Sequence, residues 1–336
     1  MNRIYLGSLS EVDPLHTYLQ HDMQPQVTGA MGGSTYRVFK LNGSNDVYQY
    51  EDRDTGTKLI GKFFLSSRQQ DVERAAAHLT NEFDNLCLMR EHGLAGYPHH
   101  VVKPLGRNYA LNALLVTEDC EGELLSEVIL EAIRSGQHDR LYQKLTALAY
   151  FLSVFHNRTA TGEGVAFNDD CDYMDSLIDR LLKIGAIDGS KAGELYALRD
   201  RWRDQPRMWE DHKVMVHGDA TPENFVFGDG LAVMAFDLER SKLGDRVFDT
   251  GRIAGELQHF FLRATGNAKA AEPFIKHFIW EYACHFPDRE SAFQSINGRT
   301  PFYRGITLLR IARNSWVGAE HRNRLIHEAV ECLRRC

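Results

Sequence analysis

A histidine, two carboxylates and an amide fall at close spacing in the second half of the chain. His217-Gly218-Asp219 is followed by Asn224 five residues on and by Asp237 thirteen beyond that. Two short apolar runs, at residues 214–216 and 231–236, flank this polar stretch. Asp219 is therefore expected in a loop just after a strand, aimed by a turn at Gly218. A hairpin between the two runs would bring Asn224 and Asp237 together. An amide oxygen beside a carboxylate is a hard oxygen pair suited to Mg²⁺, which keeps waters and phosphate oxygens as its other ligands. Asp219 close by could accept a proton from a hydroxyl or orient it. The competing reading is a solvated polar loop whose carboxylates cap neighbouring turns.

A second constellation lies in the first third. Residues 36–41, 47–50 and 58–65 are aromatic and β-branched and are separated by the turns Asn42-Gly43-Ser44-Asn45-Asp46 and Asp54-Thr55-Gly56-Thr57. Three antiparallel strands are the economical reading. Lys62 is a cation between apolar neighbours in the third. The period then changes: Val72, Ala76, Leu79, Phe83 and Leu86 recur at intervals of four and three, an amphipathic helix ending near Gly93. Glu82 falls about 60° from the centre of that stripe, at the edge of the buried face, where a carboxylate can reach a lysine on the sheet. Glu73 would sit nearly one helix length away. Read singly, Lys62 and Glu82 are as well explained as surface charges. Short strands follow near residues 101–105 and 113–117.

From Glu121 onward the pattern is mainly helical. Leu141, Leu145, Leu148, Leu152 and Phe155 form one stripe, and Met174, Leu177, Leu181 and Ile184 a second. A small β-rich lobe and a larger helical lobe are expected, with the boundary near residues 117–122.

The order H-x-D-x-x-x-x-N followed by a further Asp resembles the kinase pattern, and its H-G-D variant looks like the aminoglycoside phosphotransferase and choline kinase group of small-molecule kinases. The resemblance covers about residues 36–249. It implies an α+β, two-lobed protein-kinase-like fold: residues 1–117 a nucleotide-binding lobe with an N-terminal extension, 118–122 a hinge, and 123–336 a catalytic and acceptor-binding lobe. By the same resemblance Asp219 is the catalytic Asp, Asn224 and Asp237 hold Mg²⁺, and Glu239 is an additional metal ligand. Lys62 contacts the ATP phosphates and is held by Glu82. The turn with Gly43, Ser44 and Asn45 occupies the place of a phosphate-covering loop, though it lacks G-x-G-x-x-G and reads equally well as a plain hairpin turn. The backbone from Glu118 to Cys120 takes the hinge position that meets adenine. Residues 29–34, rich in Gly, read as a flexible approach to the first strand and as a second candidate flap over the nucleotide. Asp249 is implied to brace the catalytic loop. Eleven residues between Asp237 and Asp249 leave no room for a long phosphorylatable activation segment, which argues against a regulated protein kinase.

The composition agrees with an enzyme of this kind and excludes other classes. The 336 residues are 43% hydrophobic and 25% charged, the profile of a globular chain with room for two cores. A formal charge of −7 gives no footprint for long nucleic acid or an anionic membrane surface. The longest clean apolar stretch, residues 145–155, is far short of the ~20 a membrane helix needs. Residues 1–14 carry no cationic segment leading into an apolar one, and the six cysteines form no CxxC pair, so a cytoplasmic protein is expected. An acidic run, Asp169, Asp170, Asp172, Asp175 and Asp179, reads as a charged solvent face or as an acidic wall for a cationic acceptor. The expected partner is a small-molecule hydroxyl acceptor: an aminoglycoside, a choline-like amino alcohol, a hydroxy-amino acid or a sugar. A protein-modifying enzyme and a catalytically silent regulatory module on the same fold are the alternatives.

Overall fold

The computed structural model describes residues 3–31, 33, 35–41, 46–67 and 69–336. The chain divides into two compact units, residues 1–122 with 234–240, and residues 123–233 with 241–336.

The first unit is built on an antiparallel sheet. Its strands are β1 (Arg3–Ser8), β2 (Tyr36–Leu41), β3 (Asp46–Asp52), β4 (Lys58–Phe63), β5 (Pro104–Asn108) and β6 (Leu114–Glu118). They lie in the order β1-β2-β3-β4-β6-β5. The three strands read from β-propensity and turn chemistry are its centre; β1 at the edge was not foreseen. Side chains alternate across a pleat. Tyr36, Tyr50, Leu59, Leu114 and Val116 pack on one side under Leu15, Leu19 and Met23 from short helical turns over residues 14–28. The alternation sends Lys62 to the opposite side, toward α1 (Val72–Glu91). That helix starts where Asp71 accepts from the Arg74 amide and buries Leu79, Glu82, Leu86 and Met89 along one face. Residues 234–240 join this unit through a backbone bond from Val102 to Ala235, 2.9 Å long.

The second unit is mainly helical: α2 (Leu125–Ser135), α3 (Asp139–Asn157), α4 (Phe167–Lys183), α5 (Gly189–Arg203), α6 (Val247–Thr265), α7 (Glu272–Ala283), α8 (Arg289–Ala312) and α9 (Ala319–Leu333). Three short strands interrupt the helices: β7 (Val214–Val216), β8 (Phe225–Phe227) and β9 (Lys242–Gly244). The stripe read along residues 141–155 is fully buried, as is Trp202, whose indole donates to the Leu333 carbonyl. Each such large apolar side chain contributes about 1.5–3 kcal/mol, so the core is a rigid base for the loops it carries. Antiparallel pairing of β7 with β9, Val216 opposite Lys242, fixes the start of the loop that carries Asp219. Among the described residues no helix is long and apolar enough to cross a membrane.

Candidate active site

In the first unit, Lys62 is the centre of an acidic cluster. Its Nζ donates to Glu82 Oε2 at 2.6 Å, to Asp237 Oδ1 at 2.6 Å and to Glu239 Oε2 at 3.3 Å. The lysine side chain is 11% exposed and that of Glu82 4%. Burial works against the ammonium, but the three carboxylates hold its pKa well above the ordinary lysine value. Burial pushes the Glu82 carboxyl up to about 7, and Asp237 and Glu239 add to this while Lys62 opposes it. Carboxylate oxygens of Glu82, Asp237 and Glu239 lie within 4.8 Å of one another. Three carboxyl groups around one ammonium leave a surplus of negative charge on hard oxygen donors, and a divalent cation fits that donor set. Asp237 has φ +65°, a left-handed conformation that costs a non-glycine residue about 1–2 kcal/mol. Next to it, Leu238 is fully buried and its carbonyl accepts from Asn85 of α1, which anchors the strained backbone.

Gly43, Ser44 and Asn45 lie outside the described residues. The strand ends that flank them, Leu41 and Asp46, are at the Lys62 end of the sheet, where Val47 faces Lys62 in register. Glu118 closes β6 opposite Leu59, three residues along from the Leu115–Lys62 pair and so about 10 Å away. Its backbone N–H donates to the Lys103 carbonyl and its carboxylate accepts from the Lys103 amide. Burial pushes the Cys120 thiol well above its ordinary pKa and keeps it neutral. The Gly33 amide is tied to Asp52, which faces Tyr36 at the far end of β2 and β3, about 16 Å along the strands from Leu41 and Val47.

In the second unit, Asp219 and Asn224 share one loop, but the hairpin expected between residues 214–216 and 231–236 is corrected: residues 214–216 pair with β9 instead. Gly218 at φ +77° makes the turn, and Pro222–Asn224 forms a short 3₁₀ turn. Asn224 Nδ2 donates to the Asp219 carbonyl at 2.8 Å, which fixes the amide against the loop. The loop hangs on Asp249 of α6. This fully buried carboxylate accepts from the His217 amide at 2.6 Å, the Gly218 amide at 3.1 Å and His156 Nε2 at 3.0 Å. Burial alone would raise its pKa, but these hydrogen bonds hold it below the usual range. Burial holds the His156 pKa below its ordinary value. The ring is therefore neutral, with the proton on Nε2 toward Asp249 and Nδ1 accepting from the Tyr282 hydroxyl at 2.8 Å.

Two arginines that no motif singled out meet Asp219. Arg252 Nη1 donates to Asp219 Oδ1 at 3.0 Å and to the Gly218 carbonyl at 2.7 Å. Arg310 Nη2 donates to the same Oδ1 at 2.5 Å, and its Nη1 reaches Glu256 Oε1 at 3.4 Å. Burial pushes the Glu256 carboxyl up to about 7 against the pull of Arg310. The acidic run on α4 is largely engaged within the unit. Asp170 accepts from the Tyr303 hydroxyl, Asp175 pairs with Arg199, and Asp179 accepts from the Tyr196 hydroxyl.

Comparison with known proteins follows this geometry. A family model described as the phosphotransferase enzyme family matches residues 35–285, about three quarters of the chain. No curated protein matches in sequence. Among solved structures, an ethanolamine kinase of Plasmodium vivax is 13% identical and superposes with a TM-score of 0.61, covering 95% of this chain and 86% of its own. An amicoumacin kinase bound to AMP-PNP and Ca²⁺ is 16% identical, with a TM-score of 0.59 over 96% of this chain and 94% of that one. The choline kinase of Streptococcus pneumoniae is 18% identical, with a TM-score of 0.51 over 88% and 92%. At these identities the likeness is one of fold. The protein-kinase-like fold and the family resemblance read from the H-G-D loop are both borne out.

Proposed function

The chain belongs to the phosphotransferase enzyme family, and on that premise we propose that it is a small-molecule kinase that transfers the γ-phosphoryl group of ATP, with Mg²⁺, to an alcohol. The observation that carries the reading is that every chemistry-bearing group is present in a matched environment. Lys62 is buried against Glu82 and Asp237, and Asp219 and Asn224 share a loop braced by a buried carboxylate. A scaffold has no physical need for all five. Solved relatives in fold that hold ADP, ATP or AMP-PNP support the nucleotide assignment.

In this reading residues 1–117 are the nucleotide lobe, 118–122 the hinge and 123–336 the catalytic and acceptor lobe. Lys62, held by Glu82, contacts the α- and β-phosphates, while Gly43, Ser44 and Asn45 cover them and the backbone from Glu118 to Cys120 meets adenine. Asn224, Asp237 and Glu239 would hold the metal, which when bound would supply positive charge against that developing on the phosphoryl oxygens. Asp219 takes the proton of the acceptor hydroxyl as that oxygen bonds to the γ-phosphorus. The bond from the γ-phosphorus to the bridging oxygen breaks, and ADP leaves with the electron pair. Because the transition state is loose, positioning and charge neutralisation supply most of the rate.

The test is ADP release from ATP and Mg²⁺ with separate pools of amino alcohols, hydroxy-amino acids, sugars and aminoglycosides, using Asp219→Ala as control. Release that depends on one pool and falls at least a hundredfold in the variant supports the reading and names the acceptor class. ATP bound but no pool turned over, or equal turnover by Asp219→Ala, would overturn it in favour of a protein acceptor or a regulatory module.

A further inference from the structure

We infer that Arg310, acting with Arg252, is a positioning residue that fixes the orientation of the Asp219 carboxylate. The inference rests on the catalytic role proposed for Asp219 and adds the device that sets its geometry. Both guanidiniums converge on one oxygen, Oδ1, at 3.0 and 2.5 Å. Two planar donors on a single carboxylate oxygen restrict rotation of the group and so constrain where Oδ2 lies.

The backbone is arranged to deliver both arginines. α6 and α8 approach so closely at Gly251 and Gly255 that a Cβ on Gly255 would lie 2.7 Å from Thr307 Cβ, and one on Gly251 would run into Tyr303 Cβ. Arg252 follows Gly251 directly, and Arg310 lies three residues beyond Thr307, so the contact between the helices places one guanidinium from each on the same atom. Glu256, one residue after Gly255 and buried, faces Arg310 and balances the second positive charge. Arg252 is buried with its Nε–H lacking an acceptor. A buried donor without a partner lowers stability, and such a feature persists where the position of the group is dictated by something else. Here that is the grip on Asp219 and the Gly218 carbonyl.

Arg310 is the better probe, because Arg252 also holds a loop carbonyl and its loss would confound orientation with loop integrity. The variants are Arg310→Ala and Arg310→Lys, with Asp219→Ala as control. Each is checked for folding by circular dichroism and for affinity toward ATP with Mg²⁺ by calorimetry. With the best acceptor from the pools above, Arg310→Ala is expected to lose ten- to a hundredfold in kcat while the KM for ATP stays within about twofold. Arg310→Lys, or added guanidinium ion with Arg310→Ala, is expected to restore part of that loss. In a crystal structure of Arg310→Ala the Asp219 carboxylate is expected to rotate, a readout that needs no turnover. An unchanged kcat with Asp219→Ala inactive, a loss confined to KM for ATP, or an unmoved Asp219 carboxylate overturns the inference and leaves the kinase reading standing. Full turnover by Asp219→Ala would overturn the reading itself.

Discussion

Lys62→Met tests the acidic cluster of the first unit without any assumption about substrate. The ammonium lies 2.6 Å from Glu82 and Asp237 and 3.3 Å from Glu239, with little solvent to replace it. Removing it leaves three carboxylates with oxygens within 4.8 Å of one another. At an effective dielectric constant of about 20, each ionised pair at that distance repels by about 3 kcal/mol. Proton uptake by Glu82 relieves part of this, and the net cost expected for breaking a buried pair is about 3–5 kcal/mol. Met keeps most of the length and apolar volume of the lysine stem, so little of the loss comes from a cavity. Glu82→Gln in the Lys62→Met background removes the most buried of the three charges at constant shape. The double variant should then recover at least about 2 kcal/mol relative to additivity. The assay is urea denaturation followed by circular dichroism, without nucleotide and with a chelator, so that metal binding does not mask the repulsion. A single-variant cost below about 1 kcal/mol together with coupling below about 0.5 kcal/mol would refute the reasoning, because the four groups would then be solvated independently.

Two further perturbations follow from buried groups. Asp249→Asn presents an NH₂ group to one of the donors that now meet the carboxylate, and should cost about 3 kcal/mol and loosen the Asp219 loop. Hydrogen exchange at the His217 and Gly218 amides reports it, and unchanged protection there would count against the bracing role. His259 is held at about 4, first by burial and then by the positive fields of His321 and Arg263, against an ordinary value of 6.5. The unfolded chain therefore takes up this proton first as the pH falls. The stabilisation is complete above about pH 6.5 and is lost progressively toward pH 4, amounting to at most about 3 kcal/mol. His259→Gln should flatten the fall of Tm between pH 7 and 4.5, and an identical slope in both proteins would exclude His259 as the source.

Much of the first unit was legible because two periodicities constrain each other there. Alternation in residues 58–65 sets Lys62 between apolar neighbours, and the 3.6-residue repeat from Val72 puts Glu82 at the edge of an apolar face. A helix packed on that side of the sheet turns those residues toward each other. The strand β1 escaped because Arg3–Ser8 mixes two glycine or serine positions with an exposed apolar triplet, Ile4, Tyr5 and Leu6, and so shows no clean two-residue alternation. Residues 29–34 are ambiguous for a related reason. Glycine content is shared by flaps and tethers, and the contact of the Gly33 amide with the Asp52 carboxylate is not visible in sequence.

The loop from His217 to Asn224 was readable as chemistry because its functional groups lie within eight residues, where local turns alone bring them together. Its contacts with Arg252 and Arg310 were not, since they are 33 and 91 residues away and ordinary in type. A single arginine on a helix carries no signal of its target. What decides the contact is how closely two helices approach and at what register, and that is set by the missing Cβ atoms of Gly251 and Gly255. Two glycines four apart inside a long helix are costly to helix stability, by about 1 kcal/mol each relative to alanine. Their presence in α6 is therefore a signal that a neighbour must come close there. As a packing requirement, that spacing places the residues just beyond each glycine, Arg252 and Glu256, near the partner helix, and an arginine on that helix is the natural partner of Glu256.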